Sequence, residues 1–270
     1  MTRSLIIAGR ETLQLGRGRG FKALIALSVV ASASLAAAAG ASRSVAGGAG
    51  SRVASSFGSL VFIASSLTAV LAASVSFAAE REGGGSGLVA SCGVSRTAYV
   101  IGKFLGCAIF SAAAVLAVVL AISALAGRGE GPLPFVALAA SALAAVFVYA
   151  AWGARLGLGR GSTLSAAGRA LGFWLATTYV YEALGWALLP SLPYRLSGLF
   201  LAAFLAANPA EALRVGAIFL EGRGAIYGPE FYYWQRFFSS PMGLAAAVAL
   251  LAAHVALPLG LAVAASRRDT

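Results

Sequence analysis

Residues 104–127 have the sequence FLGCAIFSAAAVLAVVLAISALAG and carry no charged side chain. A transmembrane helix needs about 20 predominantly apolar residues to cross a hydrocarbon core of about 30 Å. Five more apolar runs flank the quoted one, and one of these, Ala170–Pro190, is interrupted only by Glu182. The pattern therefore predicts an all-α membrane protein with six transmembrane helices. The other runs, on both sides of the quoted one, are Ala23–Ala41, Phe57–Ala79, Leu133–Gly153, Ala170–Pro190 and Met242–Ser266.

The composition agrees with this prediction and excludes an ordinary soluble domain. The chain has 270 residues, of which 60% are hydrophobic and 11% charged, and its mean hydropathy is +0.87. Soluble domains carry about 25% charged residues, so this chain has too few charges to cover a globule with solvated groups. We expect a single membrane domain, residues 1–270, whose many small side chains allow helices to pack closely.

The charge balance predicts the orientation. The chain has 20 Lys and Arg against 9 Asp and Glu, a net charge of +11. We interpret this excess as a topology signal and not as affinity for nucleic acid, because Lys and Arg accumulate in the cytoplasmic loops of membrane proteins. With the N-terminus inside, 13 basic residues fall on the cytoplasmic side and 7 outside. The bias predicts a multi-pass protein of the plasma membrane with both termini cytoplasmic.

A seventh span over Leu196–Leu213 would contain Glu211 and would move the C-terminal arginines outside. Both the cost of burying the acid and the charge bias oppose it. We therefore interpret this segment as re-entrant or as lying on the outer face, within an extracytoplasmic loop that covers residues 191–241.

The N-terminal stretch, residues 2–20, has the pattern of a basic amphipathic helix in the inner membrane interface, in contact with the lipid bilayer. A solvated basic tail is the alternative. Polar side chains share one side of the helix, and apolar ones lie broadly opposite. The polar set is Arg3, Arg10, Gln14 and Arg17, and the apolar set is Leu5, Ala8, Leu13 and Leu15.

Residues 80–103, EREGGGSGLVASCGVSRTAYVIGK, lie between the second and third runs. This segment resembles the first cytoplasmic loop of ABC-2 type transporter permeases, with an acidic start, a Ser-Arg pair, a Tyr and a Gly-Lys. It departs from that family at Gly93, where the family usually has Pro, and at Gly83–Gly87, where it usually has Gly-Thr-Leu. A Gly-rich linker without a specific role is the alternative interpretation.

The resemblance implies that this segment forms a coupling helix seated in a groove of an ABC ATPase subunit. It implies a complex of two copies of this chain with two ATPase subunits, which hold the ATP and Mg²⁺. Residues 16–22 lack the second Gly and the following Ser or Thr of a P-loop, so we expect this chain to bind no nucleotide or other cofactor itself. The ATPase-coupling residues implied by the resemblance are Glu80, Arg81, Glu82, Ser95, Arg96, Tyr99 and Lys103.

The outer loop contains a helix-start signal, with Asn208 as N-cap, Pro209 at the first helical position and Glu211 three residues after the cap. Residues 208–214 are similar to a stretch in the NosY-like permease of nitrous oxide reductase maturation, which serves periplasmic copper-site assembly. Asn208, Pro209, Glu211 and Arg214 are therefore candidates for contact with a periplasmic accessory protein. The aromatic residues 227–234 predict either an interfacial anchor or a docking surface.

Few residues have the pattern of a catalytic or metal site. Glu182 is costly within a span, so we expect it either to line a translocation path or to be hydrogen-bonded near the outer headgroups. His254 is alone, and Cys92 and Cys107 form no metal-binding pattern. We predict no catalytic residue and no metal site, so the chain is not expected to be an enzyme. An intramembrane enzyme and a non-transporting scaffold are the remote alternatives.

Overall fold

The computed structural model describes residues 2–18, 21–22, 26, 30, 50–85, 91–126, 133–220 and 236–266. Apart from Ala26 and Val30, the first apolar run lies outside the described residues, as do the aromatic residues 227–234. Almost all described residues are helical, and none of them belongs to a strand. The α-helices are α1 Thr2–Arg17, α2 Gly50–Glu82, α3 Arg96–Ala126, α4 Leu133–Gly157, α5 Thr163–Leu175, α6 Tyr181–Leu188, α7 Tyr194–Ala207, α8 Pro209–Leu220 and α9 Pro241–Ser266.

Four helices within the described residues are long and apolar enough to cross a membrane. Their apolar portions are Gly58–Glu82, Arg96–Ala124, Phe135–Gly157 and Pro241–Ser266, in α2, α3, α4 and α9. These correspond to four of the six predicted runs. The described part of the chain is therefore that of a helical membrane protein.

The run Ala170–Pro190 differs from an uninterrupted helix. A π-helix at Ala176–Val180 separates α5 from α6, and a 3-10 turn, Leu189–Ser191, follows α6. π-Helical turns widen the backbone locally and are frequent at functional positions. The segment Leu196–Leu213 is also divided, because Asn208 is extended between α7 and α8.

Contacts divide the chain into two compact units, of which the first comprises Met1–Ala170 and Pro258–Thr270. In this unit α2 packs against α4 and α3, α3 packs against α4, and α1 lies along α3. Two Gly-x-x-x-Gly pairs allow these close approaches. A Cβ atom at Gly157 would lie 2.5 Å from Ser74 O on α2, and one at Gly102 would lie 2.6 Å from Ser4 O on α1. Only glycine fits such backbone contacts, which are typical of membrane helices.

The second unit comprises Leu171–Leu257. Its core is formed by Leu201, Phe204 and Leu205 of α7. The ring of Tyr181 stacks on Phe204 with ring centroids 4.6 Å apart, and the Tyr181 hydroxyl donates to Phe204 O. His254 of α9 lies 3.1 Å from Ala206 O through Nε2, which donates there as the protonated nitrogen. His254 therefore serves helix packing.

Candidate functional site

A buried ion network lies where α2 ends and α3 begins. Lys103 Nζ is 2.6 Å from Glu80 Oε2 and 2.7 Å from Glu11 Oε2, and Lys103 is only 2% exposed. Glu11 on α1 is also buried, at 5% exposure. One ammonium group thus joins α1, α2 and α3. Burying these charges is tolerable because each one has a partner of opposite sign.

Further polar groups complete the network. The Tyr99 hydroxyl donates to Glu80 Oε2 at 3.1 Å, and the Ser76 hydroxyl donates to Glu11 Oε1. Arg10, which is exposed, lies 3.7 Å from Glu80 Oε1. Lys103 also lies over the ring of Phe77, 5.6 Å from its centroid, a favourable cation–π position.

Glu11 is a member of this network that the sequence analysis did not single out. It lies on α1 between the buried residues Ala8 and Leu15, at helical spacing from both. One signal points to it in the sequence, since it is the only acid before Glu80. The packing of its helix against Gly102 and Gly106 is visible only in the structure.

The apolar set predicted for α1 is divided in the structure. Ala8 and Leu15 are buried, whereas Leu5 and Leu13 are exposed, and so are the polar residues of the opposite side. The reason is that α1 packs on α3 through the face that carries Glu11 and Thr12, whose hydroxyl donates to Gly106 O. An apolar strip with Leu5 and Leu13 and a basic strip with Arg3, Arg10 and Arg17 therefore remain exposed.

Arg81 and Glu82 bind other elements of the same unit. Arg81 donates to Gly159 O and to Gly161 O, the latter at 2.5 Å, and so satisfies carbonyl groups just beyond the end of α4. Glu82 Oε2 accepts from the backbone N–H of Thr163 at 2.9 Å and from its hydroxyl. An acid at this position stabilises the N-terminus of α5.

Ser95 and Arg96 define the start of α3. Ser95 is the N-cap, since its hydroxyl oxygen accepts from the N–H of Ala98 at 3.2 Å. Arg96 donates to Ser266 O, the last residue of α9, at 2.5 Å. Basic side chains commonly satisfy carbonyl groups at a helix C-terminus.

The segment predicted as a loop over residues 80–103 is therefore partly helical. Its ends belong to α2 and α3, and the connection itself is residues 83–95, of which 86–90 lie outside the described residues. Gly84 and Gly93 adopt φ values of +72° and +67°. Proline cannot adopt the conformation of Gly93. Arg3 of α1 donates to Gly93 O at 2.7 Å.

These contacts collect four chain segments at one end of the first unit: α1, the α2–α3 connection, the α4–α5 connection and the C-terminal end of α9. The distribution of basic residues in the sequence predicts all four segments on the cytoplasmic side. We call this region the connection end. Of the seven residues predicted to couple to an ATPase, each has a partner within the chain here.

In the second unit, Glu182 lies close to the 208–214 stretch, although the two were predicted as separate sites. Arg214 donates to Glu182 Oε1, and it also lies 3.1 Å from Glu211 Oε2. Glu211 is buried, while Glu182 and Arg214 are partly exposed. Glu182 and the stretch 208–214 thus form one cluster, which we call the Arg214 cluster.

The backbone explains why these side chains meet. Asn208 is the N-cap of α8, because its Oδ1 accepts from the N–H of Ala210 at 3.0 Å. Its Nδ2 donates to Thr177 O, a carbonyl of the π-helix, at 2.7 Å. The predicted start of α8 at Pro209 is confirmed. Burial raises the pKa of Glu211, and the neighbouring Arg214 guanidinium opposes that rise.

Among the described residues, no three His, Cys, Asp or Glu side chains come close enough together to hold a metal ion. Both cysteines are free; Cys92 is exposed and Cys107 is buried. No protein-family model matches this chain, and a comparison with curated proteins finds no match.

Proposed function

We propose that this chain is the membrane-spanning permease subunit of an ABC-2 type transporter. Two copies, each with six spans and cytoplasmic termini, would combine with two ATPase subunits and move a substrate across the plasma membrane. ATP and Mg²⁺ would be bound by the ATPase subunits, and this chain would not be an enzyme.

The observation that carries the proposal is the Lys103 network. It joins α2 and α3, the helices on either side of the 83–95 connection, because Lys103 Nζ lies 2.6 Å from Glu80 Oε2. A force applied to the connection would therefore move α2 and α3 together instead of bending a flexible loop. Such rigidity is what a coupling segment between an ATPase and a bundle requires.

The same observation changes which residues should meet the ATPase. The seven coupling residues are engaged within the chain, so we assign most of them to transmission of force and not to direct docking. The docking surface would be the exposed part of the connection, which includes Ser91, Cys92 and Gly93.

Co-purification with a co-expressed ABC ATPase tests the proposal. Cys92→Trp places a large side chain on the proposed docking surface and should reduce the recovery of the ATPase by an order of magnitude. Leu120→Trp is the matched control, because Leu120 is exposed on α3 far along the helix from the connection. Absence of an ATPase complex with the parent chain would overturn the proposal, as would equal recovery with both variants.

A NosY-like role in periplasmic copper-site maturation is the second candidate. The feature that favours it is the engagement of the 208–214 stretch, whose Asn208 and Arg214 hold the π-helix and Glu182. Adjacent reading frames for a periplasmic β-helix protein and a copper reductase would support this role. Neighbours without any periplasmic partner would contradict it and leave the general proposal standing.

A further inference from the structure

We infer that Glu11 is a positioning residue for the proposed coupling, through which α1 moves with the 83–95 connection during the ATP cycle. The inference rests on the proposed function. It adds to the coupling apparatus a residue and a helix that lie far from the connection in sequence.

The first observation is that α1 is attached at two levels. Arg3 binds the connection at Gly93 O, 2.7 Å away. Two to three turns further along α1, Glu11 binds Lys103 and Thr12 donates to Gly106 O at 3.1 Å. A displacement of the connection relative to α3 would therefore act on both attachments.

The second observation is the absence of space between α1 and α3. A Cβ atom at Gly106 would lie 2.5 Å from Glu11 Cβ and 2.7 Å from Ala8 O. Contacts this close leave α1 little room to slide along α3. If α1 follows a displacement of the connection, it must therefore separate from α3, and separation would leave Glu11 and Lys103 without each other.

The third observation concerns charge. α1 contributes both Arg10 and Glu11 to the network, and these face Glu80 and Lys103 respectively. Without α1 the Lys103–Glu80 pair would remain balanced. Loss of the Glu11 contact should thus release α1 without unfolding α2 and α3, whereas a buried like charge at that position should expel α1.

Cys107 is a natural reporter of this contact. It is fully buried and follows Gly106 on α3, the helix against which α1 packs. A buried thiol reacts slowly with a maleimide, and separation of α1 would expose it. Labelling is read from the peptide that contains Cys107, so Cys92, which lies on the proposed docking surface, stays unchanged.

The experiment measures maleimide labelling of Cys107 in the complex with the ATPase, in lipid nanodiscs, with and without Mg-ATP and vanadate. For the parent chain we expect ATP to change the labelling rate of Cys107 several-fold. Glu11→Lys should raise the rate by an order of magnitude and abolish the ATP effect while the ATPase stays bound. Glu11→Asp, which keeps the charge, should retain the ATP effect, and so should Gln14→Lys, which makes a cationic change on the exposed side of α1.

The outcomes separate the inference from the proposed function. An ATPase complex whose Cys107 labelling is the same with and without ATP would leave the proposed function standing and overturn the inference, since Glu11 would then be merely structural. An ATP effect that survives in Glu11→Lys would also overturn it. Failure of the parent to form a complex would remove the proposed function and the inference together. A parent labelling rate that ATP leaves unchanged overturns the inference even if Glu11→Lys fails to fold.

Discussion

Arg214 is one cation that balances the charge of two acids. Arg214 pairs with Glu182 of α6 and with Glu211 of its own helix, α8, so each carboxylate depends on it for charge balance. Removing either acid leaves the other paired. Removing the arginine leaves both acids without this partner in surroundings of low dielectric, where an uncompensated charge is costly.

We therefore predict an asymmetry between Arg214→Ala and Glu182→Gln. Arg214→Ala should lower the free energy of unfolding by on the order of 3 kcal/mol, because Glu211 is buried. Glu182→Gln should cost clearly less, since the pair of Arg214 with Glu211 remains. Thermal unfolding of the detergent-solubilised protein measures both.

The double variant Arg214→Ala/Glu182→Gln is the control for the prediction. It should be more stable than Arg214→Ala alone, because it removes one of the two uncompensated charges. Equal losses for Arg214→Ala and Glu182→Gln would contradict the assigned role of Arg214. Transport by Glu182→Gln, measured once a substrate is known, would then separate a translocation role from a structural one.

Single residues also show what the sequence could predict. The cap at Asn208 and the helix start at Pro209 follow from local chemistry, and both were predicted correctly. The partner of Glu182 was not predictable in the same way. Glu182 and Arg214 are 32 positions apart, and their contact depends on how α6 and α8 pack. Glu11 and Lys103, 92 positions apart, have the same difficulty.

Among the helices, packing of α4 against α2 depends on Gly153 and Gly157, which admit the backbone of α2 to close contact. The apolar periods of these helices predict only that they are buried in lipid or protein. They do not specify which helices are neighbours. Glycines spaced four apart in α3 and α4 mark the faces that receive α1 and α2, whereas Gly168 and Gly172 of α5 have the same spacing and no neighbouring atom within 4 Å, so the spacing alone does not identify the neighbour.

Gly157→Ala should consequently lower stability, whereas Gly172→Ala should not. Alanine is the better helix former by about 1 kcal/mol, so Gly172→Ala should be neutral or stabilising, since no neighbouring atom lies within 4 Å of its new Cβ. At Gly157 the new Cβ would lie 2.5 Å from Ser74 O, and forcing the helices apart typically costs about 1–3 kcal/mol. Thermal unfolding of the two variants beside the parent is the measurement. Equal effects would show that α2 and α4 do not pack as closely as described.

For the whole molecule, the sequence predicted a helical membrane protein, and four of its six runs are helices of spanning length. Hydropathy is summed over many residues, so its prediction of a span does not depend on the local backbone conformation. It missed the π-helix in the run Ala170–Pro190, because a local widening of the backbone leaves composition unchanged. The assembly of the connection end was likewise unpredictable, since it needs contacts between segments far apart in the chain.

The contacts at the connection end make a prediction about topology. Arg3 binds the α2–α3 connection, Arg81 and Glu82 bind the α4–α5 connection, and Arg96 binds the end of α9, so these segments must lie on one side of the membrane. The excess of basic residues predicts that this side is cytoplasmic. A membrane-impermeant maleimide should thus label Cys92 only after the cells are permeabilised. Ser239→Cys in a Cys92→Ser background, in the predicted outer loop, should be labelled in intact cells.

Cys107 supplies the internal control for this measurement, because it is buried and should react slowly in both conditions. Labelling of Cys92 from outside would reverse the orientation, and with it the access of any cytoplasmic ATPase to the 83–95 connection. Labelling of Cys92 and of Ser239→Cys from the same side would require a different number of spans between them. The charge bias would then reflect binding of the exposed basic strip of α1 to anionic lipid and would carry no information on topology.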